Sequence, residues 1–277
     1  DNAGRTAQLT SARAAGARTV YISRRPARRR KAFRLRWLRL LAAHWIAFPP
    51  FIDGPLGPLE KLKLRLFPGV EVVFLGAVLA DSEPARRAEL KASLSLGAEP
   101  YVLFAPGGGG KHGAGGDAPR IFAAAAARVA AATGVQAVAV MGPSFSGAAA
   151  GSPGVRTLPS LPHEQLMDLL HDAHVAVING GTTLTQALAQ QRVCVTVPIA
   201  SDQHLRVQRC ARAGVVVPAG LDADELAATV TALLADSQRH QAIAARVAAL
   251  GMENGVPKAL ASLERLLAAR PGGGGGE

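Results

Sequence analysis

The sequence predicts an α/β protein whose main domain is a Rossmann-type, doubly wound parallel sheet. From residue 98 onward, short β-branched runs alternate with helical stretches of about 10–15 residues. Apolar residues make up 49% of the 277-residue chain, enough to build a buried core. This alternation is typical of βαβ units, whose parallel sheet is covered by helices on both faces.

Residues 1–80 are predicted to form a partial second α/β domain at the N-terminus. The pattern indicates strands at 19–23, 45–48 and 70–75 and helices at 2–15 and 27–43. This order is that of the end of an α/β domain, so we expect its earlier units to lie outside this sequence.

Residues 81–97 are predicted as a linker, 98–270 as the second domain, and 271–277 as a flexible glycine-rich tail. In the second domain the predicted strands are 101–105, 135–141, 155–158, 175–178, 194–198 and 215–217. The predicted helices are 119–133, 162–172, 183–191, 203–213, 222–236, 237–250 and 259–269.

The net charge of +11 lies in the first quarter of the chain. Residues 1–70 contain 15 Lys and Arg but only 3 Asp and Glu, and most of the excess lies between Arg24 and Arg39. Phe33, Leu35 and Trp37 alternate with these arginines. Two interpretations stay open: a basic helix packed on its own domain, or contact with an anionic membrane surface or a lipid-linked acceptor. We expect no nucleic acid as a partner, because no motif with base-reading spacing occurs.

The sequence favours a cytoplasmic protein, with peripheral attachment to the inner face of the membrane as an option. No run of 18 uncharged apolar residues occurs, so we expect no spanning helix. The chain opens at Asp1 without a signal-like segment. Its two cysteines, Cys194 and Cys210, are predicted to be packed thiols in a reducing compartment.

Three loops at the ends of predicted strands carry candidate binding residues, because ligands of open parallel sheets bind beyond the carboxyl ends of the strands. The first contains seven glycines in residues 107–116. Their N–H groups could approach an anion closely, although a merely flexible loop has the same composition.

The second loop, Asn-Gly-Gly-Thr-Thr-Leu-Thr-Gln from residue 179, offers N–H and hydroxyl donors suited to a diphosphate. The alternative is ordinary helix capping by threonine. The third loop contains Asp202 and Gln203, which could bind a ring of hydroxyls. The alternative there is an acidic residue in the first turn of a helix.

The order and spacing of these loops resemble the donor half of GT-B glycosyltransferases, most closely the MurG-like family (glycosyltransferase family 28). The resemblance covers about residues 98–268. The segments that carry it are Leu-Pro-Ser-Leu-Pro-His-Glu-Gln-Leu from 158, Asn-Gly-Gly-Thr-Thr-Leu-Thr-Gln-Ala-Leu from 179 and Val-Pro-Ile-Ala-Ser-Asp-Gln-His from 197.

The resemblance implies a nucleotide-sugar site formed by four segments. Gly107, Gly108 and Gly109, in the run 107–110, would lie near the diphosphate or the closing acceptor half, and Leu161 and Pro162 would cover the base. Gly180, Gly181, Thr182 and Thr183 would surround the diphosphate, and Asp202 and Gln203 would bind the sugar hydroxyls. Two residues depart from the family. Gln186 stands where the family normally has a ribose-binding glutamate, and Asn179 stands where many relatives carry histidine.

The function implied is transfer of a sugar from a nucleoside diphosphate donor, expected to be UDP-linked, to a hydroxyl acceptor that is lipid-linked or close to a membrane. The family inverts the anomeric centre, and we expect neither a metal nor a further cofactor. No catalytic base can be named; His44 is the nearest guess, and a histidine beside Trp45 is more often a packed residue. The alternatives are a nucleotide-sugar hydrolase and a non-catalytic nucleotide-binding subunit.

Overall fold

A computed structural model describes residues 5–108, 117–143, 145 and 151–268. The chain divides into two compact units. The first combines residues 1–78 with residues 253–277, and the second consists of residues 79–252. No helix in the described ranges is long and apolar enough to cross a membrane.

The first unit is built on a three-stranded parallel sheet in the order β1-β2-β3, with Val20–Ser23, Ala43–Ile46 and Glu71–Phe74 as its strands. Its first five helices are α1 (Thr6–Ala14), α2 (Pro26–Ala32), α3 (Leu35–Leu38), α4 (Pro50–Asp53) and α5 (Pro58–Leu66).

The basic segment between 27 and 43 differs from its prediction. It forms two short helices, α2 and α3, because the chain leaves helical geometry at Phe33 and is extended at Arg34. This break lets Phe33, Trp37 and Leu38 enter one core cluster with Tyr21. Of the large apolar side chains between the arginines, Phe33, Trp37 and Leu38 are therefore core residues, and Leu35 is exposed.

The second unit is built on a six-stranded parallel sheet. Its strands are β4 (Tyr101–Ala105), β5 (Gln136–Val140), β6 (Val155–Leu158), β7 (Val175–Asn179), β8 (Val193–Val197) and β9 (Val217–Pro218). The helices are α6 (Pro84–Ser93), α7 (Ala118–Thr133), α8 (His163–Asp172), α9 (Thr182–Ala189), α10 (Ser201–Arg212), α11 (Ala223–Ala235) and α12 (Ser237–Ala249). Every residue of β4, β7 and β8 is buried, as expected for strands covered on both faces.

The strand order in this sheet is β6-β5-β4-β7-β8-β9. The chain runs outward from β4 to β6 and then returns to build β7, β8 and β9 on the other side of β4. This is the Rossmann order, whose direction reverses between the first and fourth strands. Ligands of such sheets bind in the crevice beyond the carboxyl ends at this reversal, here between β4 and β7.

The units divide the chain differently from the predicted domains in two places. Helix α6 lies within the predicted linker 81–97 and packs against α8, where buried Asp168 accepts hydrogen bonds from Arg86 Nε (2.5 Å) and Ser82 Oγ (2.8 Å). The last helix, α13 (Val256–Ala268), was predicted in the second domain but belongs to the first unit.

Helix α13 is joined to the first sheet through one buried serine. Ser262 Oγ accepts a hydrogen bond from Trp45 Nε1 of β2 (3.0 Å) and donates one to Glu71 Oε2 of β3 (2.6 Å). Arg265 also pairs with the Glu71 carboxylate. These contacts join residues about 200 positions apart in sequence, which is beyond the range of local sequence patterns.

Candidate functional site

The site predicted around Asn179 lies at the reversal point of the second sheet. Asn179 is the last residue of β7 and is buried. Its Nδ2 donates to the carbonyl of Pro106, which follows β4, and its Oδ1 accepts from the Gly181 N–H at 2.8 Å. One side chain thus connects the loop after β4 with the loop after β7.

Gly107 is glycine because of this connection. Its φ of +81° lies in the left-handed region, and a Cβ there would collide with Asn179 Nδ2. Gly108, the next residue, is exposed. Gly109 lies outside the described residues, as does the rest of the glycine run through residue 116.

The Gly180–Gly181 turn packs directly against the start of α10. A Cβ on Gly180 would lie 2.6 Å from Val207 Cγ2 and 3.0 Å from Gln203 Cβ, and one on Gly181 would lie 2.6 Å from Asn179 Oδ1. The Gly180 N–H also donates to the carbonyl of Val197 at the end of β8 (3.2 Å). The structure therefore brings the second and third predicted loops together at the same edge of the sheet.

Asp202 and Gln203 face different surroundings. Gln203 is buried, and its Oε1 accepts the Ile199 N–H at 3.0 Å, so part of this side chain holds the β8–α10 loop in place. Asp202 is exposed and keeps its carboxylate accessible at the first turn of α10. Of the predicted pair, Asp202 is the residue that a ligand can reach without rearrangement.

Arg206 is a residue that sequence reasoning missed. Its side chain is buried; Nη1 donates to the Gly180 carbonyl, and Nη2 lies 3.5 Å from Asp202 Oδ2. A full positive charge is thus held against the glycine turn. The only signal in the sequence is the i, i+4 spacing of Asp202 and Arg206, which is equally typical of an exposed helical ion pair.

Gln186 joins the site to the start of α8. It is buried on α9, and its Nε2 lies 3.2 Å from His163 Nε2, the first residue of α8. Leu161, half-buried, and Pro162, exposed, immediately precede that histidine. The segment predicted to cover the base and the residue at the predicted ribose position therefore lie next to each other.

Thr182 and Thr183 form the first turn of α9, and both are half-buried. The first N–H groups of a helix have no partner within the helix and carry a positive partial charge. No acidic residue occurs in this first turn. The electrostatics of the turn, together with Arg206 behind it, therefore favour an anion.

His44 does not fit the role of a catalytic base. It is fully buried in the first unit, with Nε2 2.8 Å from Ser23 Oγ. Burial, assisted by the nearby Arg29 charge, lowers the pKa of His44 to about 4. It is a packed residue. Among the residues with a described position, no group of three His, Cys, Asp or Glu side chains is arranged to hold a metal ion.

No protein-family model matches this chain, and no curated protein does. Several solved structures, however, are similar to this chain. The glycotransferase of kitacinnamycin is 18% identical, with a TM-score of 0.59, over 94% of this chain and 72% of that one. UGT89C1 of Arabidopsis thaliana, solved with UDP, is 14% identical with a TM-score of 0.60, over 95% and 69%. A putative UDP-N-acetylglucosamine 2-epimerase from Listeria monocytogenes is 14% identical with a TM-score of 0.61, over 95% and 71%.

The fold is GT-B. This confirms the fold class predicted from the sequence. At identities below 20% such likeness establishes the fold alone, so the narrower similarity to the MurG-like family stays a prediction.

Proposed function

We propose that this GT-B protein is a glycosyltransferase that takes a sugar from a nucleoside diphosphate donor, UDP-linked by preference, and passes it to a hydroxyl acceptor. The observation that carries the proposal is the meeting of three loops at the reversal point of the second sheet. Asn179 ties the first two together, and Gly180 packs against the third. A crevice at this position is where sheets of this order bind nucleotides.

In this proposal the diphosphate lies at the start of α9. The N–H and hydroxyl groups of Thr182 and Thr183 donate to it, and Gly181 keeps the approach open. Arg206 supplies positive charge from behind the turn and orients the Gly180 peptide through its carbonyl. The positive helix end and this buried cation stabilise the charge of the departing diphosphate, so the chemistry needs no metal in principle.

The remaining predicted residues would bind the rest of the donor. Leu161 and Pro162 would contact the base and Gln186 the ribose. The carboxylate of Asp202 would accept hydrogen bonds from the sugar hydroxyls.

The reaction is a single displacement. The acceptor oxygen attacks the anomeric carbon, and the bond from that carbon to the diphosphate oxygen breaks, leaving its electron pair on UDP and inverting the anomeric centre. The acceptor proton passes to a base that the described residues do not identify. Two of the similar structures support the reaction class by their names: one is called a glycotransferase, and another was solved with UDP.

Calorimetric titration with UDP, dTDP, GDP and CMP tests the donor site. We expect UDP to bind most tightly, and we expect Gly180→Ala to weaken UDP binding at least tenfold, because the new Cβ would force the turn away from α10. Gly151→Ala is the matched control, since nothing lies within 4 Å of its Cβ position. Thr183→Val removes one hydroxyl at nearly constant volume and should also weaken UDP binding. A loss in this variant cannot come from a steric disturbance of the fold. Equal UDP affinity in all four proteins would contradict the proposal.

Product analysis separates the two alternatives. Free sugar released from UDP-sugar without an acceptor would favour a nucleotide-sugar hydrolase. UDP binding with no turnover against any acceptor would favour a non-catalytic nucleotide-binding subunit. The similarity to the Listeria protein, a putative epimerase, supports testing chemistries other than transfer.

We further propose a lipid-linked acceptor and a cytoplasmic protein that works at the inner membrane face. The support for the acceptor is charge: the first unit has 18 Lys and Arg against 7 Asp and Glu. Membrane surfaces facing the cytoplasm are anionic and attract such a surface. Cys194 and Cys210 are both free and buried, which suits a reducing compartment.

A further inference from the structure

A groove of about 860 Å³ runs along the amino-terminal edge of the first unit's sheet. The segments that line it lead into the strands: residues 16–19 precede β1, Ala42 precedes β2, and residues 66–70 precede β3. It therefore lies at the edge opposite to the carboxyl ends of β1, β2 and β3. The donor chemistry proposed above makes no use of it.

The charge of this groove is positive. Arg13, Arg18 and Arg39 line it, and no acidic side chain does so in the part of the chain that the structure describes. Arg18 donates to the Leu266 carbonyl. The C-terminal ends of α1 and α5 point toward this edge and contribute about half a negative charge each. Three full positive charges outweigh these two partial ones, so the groove attracts anions.

The floor of the groove is apolar. Leu38, Leu41 and Val70 are buried beneath it, and Leu66 stands at its margin. A free phosphate would make no use of such a floor. Arginines above an aliphatic surface fit a ligand that has both an anionic group and an acyl chain.

Helix α5 extends the apolar surface outward from the groove. Its Leu59, Leu62 and Leu66 are 62%, 51% and 66% exposed, and their i, i+3, i+7 spacing places them on one face. Lys61 and Arg65 of the same helix are exposed as well. Leu66 belongs both to this leucine face and to the groove. Exposed leucines bordered by basic side chains are typical of helices that lie in the headgroup region of a bilayer.

We propose that this groove binds the phosphate headgroup of an anionic phospholipid of a membrane, while the leucine face of α5 inserts at the acyl boundary. The arginines neutralise the phosphate, and Leu66 at the margin of the groove contacts the upper part of the acyl chain. The inference places membrane contact at α5 and the amino-terminal sheet edge, and it holds for any donor chemistry in the second unit.

Vesicle flotation of the full chain tests the proposal, with phosphatidylcholine alone and with phosphatidylcholine containing one quarter phosphatidylglycerol. We expect binding to the anionic vesicles only, and at least about a tenfold fall in partitioning for the double variant Arg13→Glu/Arg39→Glu. The control Arg212→Glu/Arg239→Glu changes the net charge equally on exposed residues of the second unit and should retain binding. An equal loss in both double variants would overturn the proposal, because it would show attraction to net charge alone.

The leucine face is tested separately by Leu62→Gln/Leu66→Gln against Leu205→Gln, an exposed leucine of the second unit. We expect only the first to lose vesicle binding. Calorimetry with soluble dihexanoyl phosphatidylglycerol and with inorganic phosphate distinguishes the two sources of the anion. Binding of the short-chain lipid with little binding of phosphate supports the lipid site; equal binding of both would overturn it. Circular dichroism melting of each variant confirms that it is folded.

Discussion

The two units use their buried polar side chains in different ways. In the first unit, Arg29, His44 and Ser262 are buried far from one another in sequence, and each joins separate structural segments. In the second unit, Asn179, Gln186, Gln203 and Arg206 are buried around one edge of one sheet. Burying a polar group is unfavourable unless it is paired, so such groups indicate where a fold needs them. The first unit uses them to join its segments. The second unit does so too at Asp168, which binds Arg86 and Ser82, but it also gathers the four residues named above at a candidate binding site.

The two units also differ in net charge. The first unit has a net charge of +11, whereas the second has 13 Lys and Arg against 13 Asp and Glu. Substitutions of the buried polar residues of the first unit should act mainly on stability, and those at the edge of the second mainly on ligand binding. The four predictions below test that contrast.

The largest effect on stability is expected from Arg29→Ala. The guanidinium donates to the carbonyls of Asp53 (2.9 Å), Gly54 (2.7 Å) and Pro55 (2.8 Å) and pairs with Glu60 (2.7 Å). Removing it leaves these groups without their buried partner, at a cost of about 3–5 kcal/mol in the free energy of unfolding. Urea unfolding measures this. The exposed neighbour Arg30, changed to Ala, should lose less than about 0.5 kcal/mol; similar losses in both would contradict a structural role for Arg29.

Acid should destabilise the first unit through His44. The unfolded histidine takes up a proton near pH 6.5, whereas the buried one does so only near its pKa of about 4. Between these values the unfolded state binds more protons, so stability present above pH 6.5 is lost as the pH falls. From pH 7 to 4 the wild type should lose about 3 kcal/mol more than His44→Gln. Parallel stability curves for the two proteins would show that His44 titrates normally.

Ser262→Ala should destabilise the first unit by about 1–3 kcal/mol, because it removes the partner of the buried Trp45 N–H. Thermal unfolding followed by the fluorescence of Trp45 and Trp37 measures the change. Ser11→Ala on exposed α1 is the control and should be neutral. If both serines prove neutral, the hydrogen bonds of Ser262 do not stabilise the docking of α13 on the first sheet.

The smallest change in stability is expected for Asp202→Ala, in the second unit. Its carboxylate is accessible and lies 3.5 Å from Arg206, so losing the pair should cost less than about 1 kcal/mol. Turnover of the donor sugar should nevertheless fall about tenfold or more, because a charged acceptor of hydrogen bonds is lost. Asp224→Ala, an exposed acid on α11, is the matched control. A fall in melting temperature without a fall in kcat/KM would show that Asp202 has a structural role. It would contradict the proposed difference between the two units.

Periodicity predicts the central elements of the second unit closely. The predicted strands 101–105 and 155–158 have the bounds of β4 and β6, and 175–178 differs from β7 only by Asn179. For β4 and β7 local patterns succeed because these strands are buried on both faces, so nearly every residue in them is apolar. The basic segment is predicted less well. Charge periodicity indicates one helix over 27–43, but the packing of Phe33 and Trp37 against Tyr21 requires a break.

Some features of the candidate site can likewise be predicted from the sequence, and others cannot. Placing Asn179, Gly180 and Asp202 at strand ends requires only the sequence and the rule that ligands bind at carboxyl edges. Two features could not be predicted: the hydrogen bond that Gln203 accepts from the Ile199 N–H, and the burial of Arg206 against Gly180. Both depend on how α10 packs against the Gly180–Gly181 turn.

The sequence by itself determined the class of fold, the buried strands and the glycine-rich turns, because these follow from apolar periodicity and from backbone conformations that only glycine adopts freely. Tertiary structure alone decided which polar side chains are buried, which arginines meet in one groove, and that α13 returns to the first sheet. These features depend on contacts between residues distant in the chain. Such contacts stabilise the protein only after each unit has folded and brought those residues together.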